Sequence, residues 1–125
     1  GQIAPVTGTG FGFRRARPID PGGYDHNFCL SDGPRPLRDI ARLTGRSGVA
    51  MTVATTACGL QFHDGAKMSD LNGLDGRRYG PFAGLALETQ GWPDAPNRPH
   101  FPVAVLRPGQ LWTAQTHYRF SEARA

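Results

Sequence analysis

Three polar side chains in this sequence stand where short strands would present them to a ligand: Glu88, Asp25 and Gln61. Glu88 closes the apolar run Leu85-Ala86-Leu87, and the rigid loop Gly91-Trp92-Pro93-Asp94-Ala95-Pro96-Asn97 follows closely. Two-residue alternation puts Leu85, Leu87 and Thr89 on one face, with Gly84, Ala86 and Glu88 on the other. The first face can enter a core. The second is bare except for the carboxylate, so a ligand could lie against it. One acid on a rigid, open strand is how a general base is presented; a surface glutamate at a strand end has the same pattern. Asp25 shares a face with Asn27 and Cys29, opposite Tyr24, Phe28 and Leu30. Its carboxylate there suits bidentate bonding to vicinal hydroxyls, and the plainer alternative is an Asx turn after Pro21-Gly22-Gly23. Gln61 opposes Leu60 and Phe62 and offers both a donor and an acceptor. It reads equally as a satisfied strand glutamine.

The elements that must hold these residues are short and strand-like. Alternation runs over Tyr24 to Leu30, Val49 to Thr55, Gly59 to His63 and Leu111 to Phe120. Pro36 to Leu43 reads as a short helix or, equally, as a strand. Seventeen glycines and eleven prolines are spread evenly, so they punctuate many small elements. Pro108-Gly109 predicts a turn before the last strand. Ala95 to Pro102, with three prolines, predicts an extended loop. Ser69 to Tyr79 predicts a second long loop. The whole reads as all-β, a sandwich or part of one.

Composition narrows the function classes. A chain of 125 residues is enough for one domain with a core. The net charge is +4, but the basic residues are scattered among Gly and Pro with no basic helix or aromatic-interleaved strip, so no nucleic-acid partner is expected. No apolar run approaches the length of a membrane span, and no signal peptide is seen, so a soluble, cytoplasmic protein without a membrane partner is expected. Cys29 and Cys58 lie in apolar segments and read as buried, reduced thiols. Cys58, His63 and Asp64 match no zinc spacing, so no metal is expected. His26 shares a face with Phe28 and Leu30 and reads as a core histidine. Gly8-Thr9-Gly10-Phe11-Gly12 lacks the ending of a phosphate loop and reads as a bend.

The segment from Leu87 to Asn97, followed by Phe101-Pro102 and Leu106-Arg107-Pro108-Gly109, resembles the C-terminal part of the aldose 1-epimerase (galactose mutarotase) family. Three further segments agree in order. Gly1 to Val6 with Phe11-Gly12-Phe13-Arg14 resembles the stretch ahead of the family's sugar-binding loop. Gly23-Tyr24-Asp25-His26-Asn27-Phe28 resembles its Gly-x-Asp-His-Asn-Phe signature, and Gly59-Leu60-Gln61-Phe62 its Gly-x-Gln-Phe strand. The likeness departs at Gly10 and Gly12, where proline and aspartate are usual, and at His63 and Asp64, where an aromatic and a threonine are usual.

This resemblance implies that residues 1–125 are the C-terminal segment of a single large β-sandwich domain, the galactose mutarotase-like supersandwich. It implies Glu88 as the general base toward an anomeric hydroxyl, Asp25 and Gln61 as substrate-binding residues, and interconversion of α and β hexose anomers without cofactor or metal. The family's general acid is a histidine upstream, and no histidine here matches it. The expected partners are therefore an aldose and the upstream N-terminal half of the same enzyme. Two other readings stand beside this one. One is a non-catalytic sugar-binding or structural β-sandwich segment. The other is a hexose-phosphate epimerase relative, which would need Arg14, Arg77 or Arg98 to converge on a cleft.

Overall fold

The computed structural model describes residues 1–122. Its regular elements are β1 (Asp25–Cys29), β2 (Arg38–Thr44), β3 (Val49–Thr55), β4 (Gly59–His63), β5 (Leu71–Asn72), β6 (Arg78–Tyr79), β7 (Ala86–Gln90) and β8 (Thr116–Glu122), with short 3-10 turns at Leu74–Gly76 and Ala95–Asn97. The all-β expectation is met, and the ambiguous segment after Pro36 is a strand. β1, β4 and β7 form one sheet in that order, β2, β3 and β8 a second, and β5 and β6 a small third. The chain divides into two compact units, Gly1–Phe28 with Gln61–Glu88, and Cys29–Leu60 with the chain from Thr89 onward.

The first unit is built on aromatic rings. Alternation through β1, from Tyr24 just before it, and through β4 sends Tyr24, Phe28 and Phe62 to one side, and the N-terminal segment packs there. Tyr24 stacks on Phe62 with centroids 5.0 Å apart, Phe11 meets Tyr24 edge-on at 5.7 Å, and Phe13 meets Phe62 at 6.0 Å. Offset and edge-on pairs of this kind add about 0.5–1.5 kcal/mol each beyond area burial. Arg17 fastens the segment: its guanidinium lies 4.1 Å over the Phe13 ring and donates to the carbonyls of Gly12 and Gly10, while the Tyr24 hydroxyl donates to Gly10 at 2.7 Å. The glycine-rich stretch is thus a bend, with Gly12 N–H closing on the Thr9 carbonyl at 3.1 Å.

Beyond β4 the chain turns at Gly65, whose φ is +72°; a Cβ there would stand 2.6 Å from the Gly84 carbonyl oxygen, so both conformation and space call for glycine. The Gly65 carbonyl accepts N–H bonds from Met68 and Phe82, at 3.0 and 3.1 Å, which draws in the lead to β7. Ser69 to Tyr79 is not a plain loop. Leu71 pairs with Tyr79 and Asn72 with Arg78 in a hairpin, with the Tyr79 ring lying over the bare Gly73.

The second unit centres on β3, the middle strand of its sheet. Val53 lies between Ala41 of β2 and Tyr118 of β8, and Met51 between Leu43 and Phe120. Ala50, Val53, Ala54 and Thr55 are buried, so both faces of β3 are covered. The β2–β3 turn closes through Gly45 N–H to Val49 O at 2.8 Å, with Gly48 at φ +82°. β8 begins only at Thr116, opposite Thr55, so Leu111 to Gln115 is not strand. The Pro108-Gly109 turn is present. Ala95 to Pro102 is compact rather than extended, because Phe101 is buried edge-on against Trp92 at 5.1 Å. The Trp92 indole N–H donates to the Cys58 carbonyl at 2.9 Å, which anchors this loop.

Candidate active site

Packing one face of β1 and β4 with aromatic rings leaves the other face for polar groups. On that face Gln61 Nε2 donates to Asp25 Oδ1 at 2.7 Å. Two residues thirty-six positions apart are joined because β1 and β4 are neighbours and because both sit opposite the Tyr24–Phe62 stack. The amide thereby fixes one carboxylate oxygen and leaves the exposed Asp25 its second oxygen for a ligand. Glu88 is the middle residue of β7, the strand on the other side of β4. It is exposed, and it takes part in none of the ion pairs among the described residues. One sheet therefore carries all three residues singled out from the sequence, in the order Asp25, Gln61, Glu88. An acceptor, a donor–acceptor amide and a further carboxylate on such a sheet can bind hydroxyls and take a proton from one of them.

Two expectations near the site need correcting. His26 is exposed rather than in the core. Its ring meets Phe11 edge-on at 4.6 Å, and its Nδ1 accepts the Asp25 backbone N–H at 3.1 Å. It is on the aromatic side, as alternation implies, but at the rim. Cys29 is exposed too, whereas Cys58 is buried, and no disulfide joins them. Burial pushes the Cys58 thiol up, so it is an inert packing residue rather than a nucleophile.

One residue of the neighbourhood, Asp64, stands out in the sequence as a rejected metal ligand and as a departure from a pattern, not as a part of the site. Asp64 is buried just past β4, with its carboxylate bonded to backbone N–H groups of Gly23, Tyr24 and Ala66. Burial pushes this carboxyl up, but the three N–H donors outweigh it and hold the group below the usual carboxylate range. Its remote partners are backbone atoms some forty positions away, so no side-chain spacing could have revealed them. Among the described residues, no cluster of His, Cys, Asp and Glu is arranged to hold a metal, and no helix is long and apolar enough to cross a membrane.

Comparison with known proteins bears on this geometry. The family model for aldose 1-epimerase matches residues 1–119. The chain is similar to galactose mutarotase of Bos taurus (41% identity) and of Homo sapiens (40%), in each case over 98% of this chain and 38% of the relative. It is similar to aldose 1-epimerase of Escherichia coli (strain K12) at 33% identity, over 94% of this chain and 38% of that protein. Among solved structures, the crystal structure of a GalM/aldose epimerase homologue from C. elegans superposes with a TM-score of 0.87 at 27% identity, over 99% of this chain and 40% of that one. The chain thus spans roughly two-fifths of the length of these relatives.

Proposed function

The chain belongs to the aldose 1-epimerase family, and on that premise we propose that it serves in the interconversion of α and β anomers of a hexose. The observation that carries this reading is the Asp25–Gln61 hydrogen bond on the strands beside the one that presents Glu88. In the proposed reaction Glu88 takes the proton from the C1 hydroxyl while an acid protonates the ring oxygen, and the ring opens. The carbonyl turns, and the ring closes on its other face. Asp25 and Gln61 hold ring hydroxyls so that C1 stays over the base. Acid–base help is worth about 10²–10⁴-fold per group, which suffices for a reaction that already proceeds in water.

The acid comes from outside the residues seen here, from the upstream N-terminal part of the same enzyme, of which residues 1–125 form the C-terminal segment. Support for such a partner comes from the second unit, where Val103, Leu111 and Trp112 are 88%, 89% and 70% exposed. Apolar side chains this exposed would be covered if the upstream part packs against this unit. Thiols without a disulfide accord with a reducing compartment, and the proposed setting is the cytoplasm.

Asp25→Asn tests the sugar anchor. The variant keeps the shape but loses the charge, and charge-assisted hydrogen bonds contribute about 1.5–3 kcal/mol each. Affinity for galactose in titration calorimetry is expected to fall about tenfold or more. Unchanged affinity would reduce Asp25 to a strand-end residue.

A further inference from the structure

We propose that Asp64 is the positioning residue of the sugar site, its buried carboxylate holding the backbone from which Asp25 projects. This rests on the reading of Asp25 as the sugar anchor. Asp64 is 5% exposed, so it is placed to act through a neighbour rather than on a ligand. Its Oδ2 accepts the N–H of Gly23 at 3.1 Å and of Tyr24 at 2.9 Å, and its Oδ1 accepts that of Ala66 at 3.0 Å. The Asp64 amide in turn donates to the Tyr24 carbonyl at 3.0 Å. One residue therefore grips Tyr24 at both of its backbone polar groups, and the next residue is Asp25.

The grip is needed because of what precedes it. Asp25 follows Pro21-Gly22-Gly23, and Gly23 is left-handed at φ +73°. A glycine pair has more conformational freedom to lose than any other dipeptide, so this run does not hold β1 by itself. Successive N–H groups beside a left-handed glycine form a concave donor site that suits an anion, and here the chain supplies its own carboxylate to fill it. Asp64 fixes the backbone and Gln61, three residues earlier, fixes the side chain through its bond to Oδ1. The anchor is thereby held at two points from one short segment, Gln61 within β4 and Asp64 just past its end, which leaves little of its ordering to be supplied by the sugar.

The experiment is a double-mutant cycle on the active enzyme, with galactose binding read by titration calorimetry. Asp64→Ala is expected to weaken binding about tenfold where Asp25 is present, and less than about twofold where Asp25 is already replaced by Asn, since residues acting through one group are not additive. Asp64→Asn keeps an oxygen for the same N–H groups and is expected to fall between wild type and Asp64→Ala, again only in the presence of Asp25. If Asp64→Ala does not fold, the Asn cycle decides by the same criterion. Wild-type affinity for the Asp64 variants, or equal losses in both backgrounds, would overturn the positioning role, because a general loss of structure does not depend on Asp25. An Asp25→Asn enzyme that binds galactose like wild type would instead overturn the anchor reading, and this inference with it.

Discussion

Glu88→Gln is expected to slow aldose mutarotation by at least about 10²-fold while leaving galactose affinity within a few-fold of wild type. The amide preserves the size and hydrogen-bonding shape of the side chain but cannot accept the C1 hydroxyl proton. The loss should therefore fall on turnover rather than on binding. Glu88 is exposed at the middle of β7, so the change removes no buried contact and should leave the melting temperature nearly unchanged. Polarimetry on freshly dissolved α-galactose gives the rate. A variant that equilibrates the anomers as fast as wild type would remove Glu88 from the chemistry and leave the sheet as a sugar-binding surface.

The second large effect concerns residues 1–125 expressed by themselves. Mutarotase activity is expected to be at most weak, because the two groups proposed to open the ring act as a unit and the acid is proposed to come from the upstream part. The same chain is expected to self-associate at modest concentration. Leu111 is almost wholly exposed, and Trp112 and Phe120 are largely so, on a stretch that ends in β8. β8 pairs with β3 on one side, and β2 and β8 are the outer strands of that sheet. Outer strands beside apolar side chains invite pairing with other copies. Adding the upstream portion of a family member should raise the rate at least about 10²-fold, the worth of one acid–base group, and should shift size-exclusion elution to a single defined species. A monomeric and fully active 125-residue chain would place the acid within it, and His26, exposed beside Asp25, would be the first residue to replace.

The bounds of β1, β3 and β4 could largely be read from the sequence, because two-residue alternation runs through each of them. β3 and β4 have the bounds that alternation implies, and β1 lies one residue inside them at each end. Asp25 and Gln61 could be placed on one face by parity alone. Their direct hydrogen bond could not, since it depends on β1 and β4 being neighbours across thirty-six positions. The alternating stretch from Leu111 misled for the same reason. Trp112 and Ala114 keep the period, but the strand starts only at Thr116, where a partner exists in Thr55. Ser69 to Tyr79 hid a hairpin because two residues per strand are too few to show a period. The Pro-rich loop folds inward on Phe101, whose burial depends on Trp92 nine residues earlier. Asp64 was the least legible of all, because every group its side chain binds is a backbone N–H and backbone donors carry no residue code.

The central claim, that one sheet holds a hexose by Asp25 and Gln61 and presents its anomeric hydroxyl to Glu88, is tested most directly by a crystal structure of the active enzyme with galactose bound. The account predicts a ring hydroxyl within hydrogen-bond reach of both Asp25 and Gln61, and a Glu88 carboxylate oxygen about 2.6–3.2 Å from the C1 hydroxyl. A galactose seated away from this sheet, or seated on it with C1 turned from Glu88 toward another base, would contradict it.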